Sequence, residues 1–184
     1  EIRDYESKLK FILYPTTIPP RGTKVFNPPV NNVYITQQFG KTSASGRLYA
    51  SGTHNGTDLR ATTGTTVKAM SGGVVIGTGD TDLTCPGASF GKWVLIDHQN
   101  GLASIYAHLS LIKVSAGDTV SSGQTIAYSG NTGYSTGPHL HISVYARKAV
   151  QIETRPSKAC SGRSYTMPIA AVNAYLDPMD YIKI

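Results

Sequence analysis

Three short stretches hold the side chains that could do chemistry. In Pro138-His139-Leu140-His141-Ile142-Ser143-Val144, polar and apolar residues alternate, and a period of two predicts a β-strand. Successive side chains on a strand point to opposite faces, so His139 and His141 share a face and can work on one object. His54 and Asp58 enclose Asn55-Gly56-Thr57. Their spacing would suit one helical face, but Gly56 disfavours a helix. A tight turn entering a short strand at Asp58 fits better. His108 lies near the end of a strand-like run over 102–109, and His98 sits on the opposite arm of the same hairpin.

Hydrolytic zinc sites take about three protein ligands, typically two histidines and a carboxylate, with a further position left for water. His54, Asp58 and one of the strand histidines make up such a set. The other strand histidine and His108 then remain to move protons. Amide hydrolysis needs both parts. A metal polarises the carbonyl and activates water near neutral pH, and a neutral imidazole can take the water's proton and return one to the leaving amine. Residue types alone do not say which strand histidine does which job.

The elements that must position these residues read as strands and turns. Val, Ile, Thr and Tyr are spread throughout, 19 Gly and 10 Pro supply turns, and no long window shows the 3.6-residue period. The chain is therefore mainly β with little helix. Residues 32–39 predict a first core strand. Residues 41–53 form a polar loop in front of the His54 turn, and Tyr49 in it is a candidate substrate-binding residue on a groove wall. Gly64-Thr-Thr-Val67 with Gly72-Gly-Val-Val-Ile-Gly-Thr-Gly79 resembles Gly117-Asp-Thr-Val120 with Gly123-Gln-Thr-Ile-Ala-Tyr-Ser-Gly130. A strand–glycine turn–strand unit in two copies builds a sheet by pseudo-symmetry, not a solenoid. Asn100-Gly101 between two apolar runs is a hairpin signal. Residues 80–90 read as a loop, 147–165 as a polar segment and 170–175 as a short helix. Residues 1–14 suit the end of a helix, and Pro15, Pro19, Pro20, Pro28 and Pro29 suit a linker or irregular lead-in. The expected division is a lead-in or upstream remnant over 1–25 and one domain over 26–184.

His54-x-x-x-Asp58 followed by Ser135-Thr-Gly-Pro-His-Leu-His141, with Tyr106-Ala-His-Leu109 between them, resembles the M23 family of zinc metallopeptidases, the LytM and lysostaphin type. Gln38-Phe-Gly40, Gly64-Thr-Thr-Val67 and the closing Leu176-Asp-Pro-Met-Asp-Tyr181 match as well. The resemblance implies an open antiparallel β-sheet with glycine-rich hairpins and a groove over one zinc ion. It makes His54, Asp58 and His141 similar to the metal ligands, and His108 and His139 similar to the catalytic histidines that flank the reacting water. His98 matches a family position without a metal role and is read as structural. The implied activity is zinc-dependent hydrolysis of cross-links or stem peptides of bacterial peptidoglycan, at glycine–glycine bridges or at D-alanyl cross-links. The alternative is a non-catalytic cell-wall-binding or amidase-activating regulatory domain of the same family. Such domains typically lose zinc ligands, and all five positions are filled here.

The 184 residues suffice for one domain with its own core. The net charge of +6 favours an anionic partner, as peptidoglycan and its associated polymers are. No arginine-rich run or aromatic platform supports nucleic-acid binding, and no apolar run approaches a membrane span. The first residue is Glu1, which suits a mature or trimmed chain, and an upstream regulatory or inhibitory segment is compatible with that. Cys85 and Cys160 are the only cysteines. They form no metal-type pair, and a disulfide is their expected use, which implies an oxidising compartment. By the resemblance this is the periplasm or the secreted, cell-wall environment. The two segments that carry them are longer than the family's minimal core, and the pairing tilts the reading towards D-alanyl cross-links.

Overall fold

The alternating runs around His108 and His141 become the two central strands of one antiparallel sheet. A computed structural model describes residues 5–13, 17–42 and 52–184. Its strands are β1 (Ile35–Gln37), β2 (Thr57–Arg60), β3 (Thr66–Lys68), β4 (Gly73–Asp80), β5 (Lys92–Asp97), β6 (Leu102–Ile112), β7 (Thr119–Val120), β8 (Thr125–Ser129), β9 (His139–Ala146), β10 (Gln151–Pro156), β11 (Ser164–Ile169) and β12 (Tyr175–Leu176). Ten of them form an open sheet in the order β1-β2-β9-β6-β5-β4-β7, with β12 paired to β9 and β8 bridging β3 and β6. Among the described residues, helix is confined to Tyr5 and Glu6 and to isolated 3-10 turns such as Thr81–Leu83 and Pro178–Asp180. The fold is the mainly β, open-sheet architecture expected.

The doubled glycine unit explains part of that sheet. One copy supplies β3 and β4, the other β7 and β8. Each strand pairs across the pseudo-symmetry, β3 with β8 and β4 with β7. The Asn100-Gly101 turn joins β5 to β6, whose register runs from Asp97↔Ala103 to Lys92↔Leu109.

Both faces of the sheet are covered. One carries Leu59, Val94, Ile96, Tyr106, Leu140, Ile142 and Val144. The other carries Trp93, Leu95, Ala103, Ile105, Ala107 and Tyr145. The period of two along β9 sends Leu140, Ile142 and Val144 into the first layer and His141, Ser143 and Tyr145 towards the second. The histidine face is therefore continuous with the second core, and the site lies at one end of it.

The segment over 147–165 departs from its polar reading. It holds β10, which pairs with β11 in a separate hairpin from Gln151↔Ile169 to Pro156↔Ser164. Tyr165, Met167 and Ile169 alternate inward onto the second core. Their side chains carry a period of two that the charges of β10 obscured. Residues 170–175 also differ from expectation: only Val172–Ala174 form a single 3-10 turn, and Tyr175–Leu176 pair with β9. Burial of Ala170, Ala171 and Ala174 shows packing onto the sheet overriding helix propensity. The first core strand is shorter than expected: it covers only Ile35–Gln37, and its pairing with β2 is bulged between Ile35 and Gln37.

Cys85 and Cys160 are disulfide-bonded with Cα atoms 5.8 Å apart. The bond staples the 80–90 loop to the turn of the β10–β11 hairpin. Closing a loop of 75 residues removes unfolded-state entropy worth about 4 kcal/mol in the chain-entropy model. Cys85→Ser/Cys160→Ser is expected to lower Tm by about 10 °C. Calorimetry of the double variant checks this, and an unchanged Tm would show that the bond adds nothing to folding.

Candidate active site

His54 is placed by a two-way backbone bridge. Its N–H donates to the Gly40 carbonyl and its own carbonyl accepts from Gly40 N–H, at 2.8 and 2.9 Å. The chain then turns tightly so that Asp58, on β2, pairs directly with His141 on β9. Gly56 makes the turn possible. A Cβ there would run into the Ile142 carbonyl and lie 2.6 Å from both His141 Cε1 and Ser143 Oγ. No side chain fits that approach.

The result is a tight triangle. His54 Nε2 lies 3.2 Å from Asp58 Oδ1 and 3.2 Å from His141 Nδ1, and His141 Nδ1 lies 2.9 Å from Asp58 Oδ1. Ligands of a tetrahedral ion at 2.0–2.1 Å would be about 3.4 Å apart, so little movement is needed to admit one. All three side chains are buried. The hydrogen bonds behind them settle where protons can sit. His54 Nδ1–H donates to the Gln38 carbonyl at 3.0 Å, because a carbonyl only accepts, and its Nε2 lone pair is turned into the triangle. His141 Nε2 meets Ser143 Oγ at 2.9 Å. A hydroxyl both donates and accepts, so this contact supports either His141 tautomer: Nδ1–H towards Asp58, or an Nδ1 lone pair aimed at a cation. Two imidazoles and a carboxylate converging within hydrogen-bond distance call for positive charge between them, and this donor set fits a metal ion.

His108 and His139 stand beside the triangle. Their ring centroids are 4.7 Å apart. His139 Nε2 is 3.6 Å from Asp58 Oδ1, and the His108 ring is 5.8 Å from that of His141. Each is held by a carbonyl at Nδ1, His108 by Thr132 at 2.7 Å and His139 by Gly137 at 2.8 Å. Both therefore carry the proton on Nδ1 and keep Nε2 as a base. His108 adopts a left-handed backbone, φ 59°, uncommon for a residue other than glycine. Its N–H donates to the Phe90 carbonyl across the bulged end of β5 and β6. This local strain aims the ring and is of the kind found at functional sites.

Electrostatics divide the roles further. Burial alone would raise the Asp58 carboxyl, but hydrogen bonds and charge interactions with His141 and His54 outweigh it and hold it well below the usual carboxylate range. Burial, with His141 and His139 close by, pushes His108 down to about 3, and burial also lowers His141. His108 is thus neutral at any working pH. Without metal, the unfolded chain takes up a proton below pH 6.5 that folded His108 refuses. Stability is complete above 6.5 and falls as the pH drops towards 3, by about 1.4 kcal/mol per pH unit from this histidine. His141 adds in the same direction. Urea midpoints of metal-free protein at pH 7, 6 and 5 check this, and a midpoint that rises on acidification contradicts it.

The remaining expected residues fall elsewhere. His98 is buried away from the triangle, between the Gly72 carbonyl at 2.9 Å and Ser104 Oγ at 2.7 Å, against Phe26. Tyr49 lies outside the described residues. Sequence reasoning passed over the groups that orient the histidines. The carbonyls of Gln38, Thr132 and Gly137 leave no side-chain signal, whereas Ser143 was marked by its place on the His139–His141 face. Asp82 was also missed. Its two carboxylate oxygens accept from Gly87 N–H and Gly133 N–H, clamping the loop that presents Thr132.

A central antiparallel sheet thus carries this histidine–aspartate cluster at its end. The sequence model of peptidase family M23 matches residues 52–153, more than half of the chain, and the chain belongs to that family. It is 44% identical to the peptidoglycan DD-endopeptidase ShyA of Vibrio cholerae over 51% of this chain and 20% of that one. It is 41% identical to the glycyl-glycine endopeptidase ALE-1 of Staphylococcus capitis over 50% of this chain and 24% of that one. Its fold matches a zinc-containing peptidase from Vibrio cholerae with a TM-score of 0.55 at 35% identity, over 65% of this chain and 36% of that one. The chain thus aligns with about a fifth to a quarter of the length of these two curated relatives.

Proposed function

We propose that this chain is a zinc-dependent endopeptidase that hydrolyses peptide cross-links or stem peptides of bacterial peptidoglycan. The observation that carries the reading is the triangle of His54, Asp58 and His141 with two Nε2 bases at its side. His54 Nε2, Asp58 Oδ1 and His141 Nδ1 would hold the ion. Zinc, when bound there, supplies Lewis acidity to the scissile carbonyl and lowers the pKa of water. His108, kept neutral by burial, and His139, beside Asp58, take the proton of the attacking water and return one to the leaving amine. The ring that has taken that proton on Nε2 can donate it in a hydrogen bond to the oxyanion as it forms.

Relatives named for DD-endopeptidase and for glycyl-glycine endopeptidase activity support the substrate class without choosing a bond. The disulfide suits an oxidising space outside the cytoplasm, the periplasm or cell wall. Among the described residues no helix is long and apolar enough to cross a membrane. The test is metal analysis of the native protein together with mass spectrometry of products from defined cross-linked muropeptides. One zinc per chain and cleavage of the cross-link are expected. Native protein that holds no zinc, or that leaves every muropeptide intact, ends this reading.

A further inference from the structure

Arg60 follows Asp58 by two positions on β2, so both side chains share one face. Arg60 pairs directly with His139 on β9, and residues opposite one another in an antiparallel pair also share a face. On its other side its N–H donates to the Tyr34 carbonyl at 2.9 Å. Tyr34, Arg60 and His139 thus form a row across three chain segments, next to the row of Asp58 and His141. The Arg60 guanidinium carbon sits 3.9 Å from the centre of the Tyr34 ring. Tyr34 is 55% exposed and Arg60 is exposed as well.

This cation is unlike the other arginines near acids. Arg147 is paired with Asp97, Arg155 with Glu153 and Arg21 with Asp180, whereas Arg60 has no carboxylate partner among the described residues. Stacking on Tyr34 restrains the side chain and leaves its in-plane N–H donors, which suit a carboxylate held at two points. Along β2, Arg60 lies two positions and so about 6.6 Å from Asp58, the rise of about two residues of extended peptide.

From this juxtaposition we infer that Arg60, held by Tyr34, is a binding subsite for a carboxylate on a peptide residue next to the scissile bond. The inference rests on the peptidoglycan reading above. It deepens that reading by favouring acidic stem-peptide cross-links over uncharged glycine bridges, since only the former offer side-chain or α-carboxylates along the strand.

The experiment compares two synthetic cross-linked muropeptides that differ only in bearing a carboxylate or a carboxamide at the residue flanking the scissile bond. Native zinc-loaded protein is expected to favour the carboxylate form by about tenfold in kcat/KM, mainly through KM. In Arg60→Gln the ratio should fall to about one, with Arg60→Lys between the two. Zinc content and Tm of each variant are measured alongside. Ratios equal in native and Arg60→Gln protein overturn the subsite while leaving the endopeptidase reading intact. Native protein that cuts neither substrate overturns that reading, and the subsite with it.

Discussion

His141→Ala is expected to lose more than about 10²-fold in zinc affinity and to fall to background activity on cross-linked muropeptides. Disturbing a residue that merely orients a metal ligand already costs 10- to 100-fold, and this substitution removes a ligand. His54 and Asp58 alone leave the ion short of the three protein ligands that catalytic zinc sites use. The substitution also opens a space beside Phe90 and His108, whose rings lie 5.9 and 5.8 Å from that of His141. Circular dichroism and Tm of the metal-free variant therefore accompany the zinc titration against a chelator. A folded variant that still binds one zinc with native affinity would remove His141 from the ligand set.

His139→Ala should behave differently. Zinc should remain stoichiometric, because His139 Nε2 stands 3.6 Å from Asp58 Oδ1, outside the triangle of 2.9–3.2 Å. Loss of a positioned acid–base group predicts a fall in kcat of about 10²- to 10⁴-fold, with KM little changed. Single-turnover kinetics on a muropeptide, with metal analysis of the same sample, measures both quantities. Activity within about tenfold of native would remove His139 from the catalytic pair. His139 is a cleaner probe than His108, whose left-handed backbone would relax on replacement and mix strain with chemistry.

The two substitutions separate histidines that share a strand face. The period of two in residues 139–144 placed them together, but their division of labour is written in their surroundings. His141 pairs with Asp58 across β2 and β9, 83 residues apart in sequence. His139, two residue pairs further along, meets Arg60 instead.

Much of the fold was legible from local pattern. The alternation in β6 and β9, the Asn100-Gly101 hairpin and the doubled glycine unit are short-range signals, and each became the element it predicted. The β10–β11 hairpin was hidden because Glu153 and Arg155 interrupt its apolar face. Residues 170–175 kept helix-forming alanines yet yielded to β12 pairing, since burial against the sheet outweighs a propensity of a few tenths of a kcal/mol.

For the site, the residue types, their order and the two histidine motifs carry the proposed chemistry: two imidazoles and a carboxylate that could hold a metal, two further imidazoles proposed to move protons. Tertiary structure decided which ring nitrogen each histidine offers. The carbonyls of Gln38, Thr132 and Gly137 hold His54, His108 and His139 by Nδ1, and every residue carries such a carbonyl, so no sequence pattern can mark the ones that matter. It likewise decided that Arg60 shares a sheet face with Asp58 and His139 and has no carboxylate partner among the described residues, because a charge's role depends on what the folded chain leaves beside it.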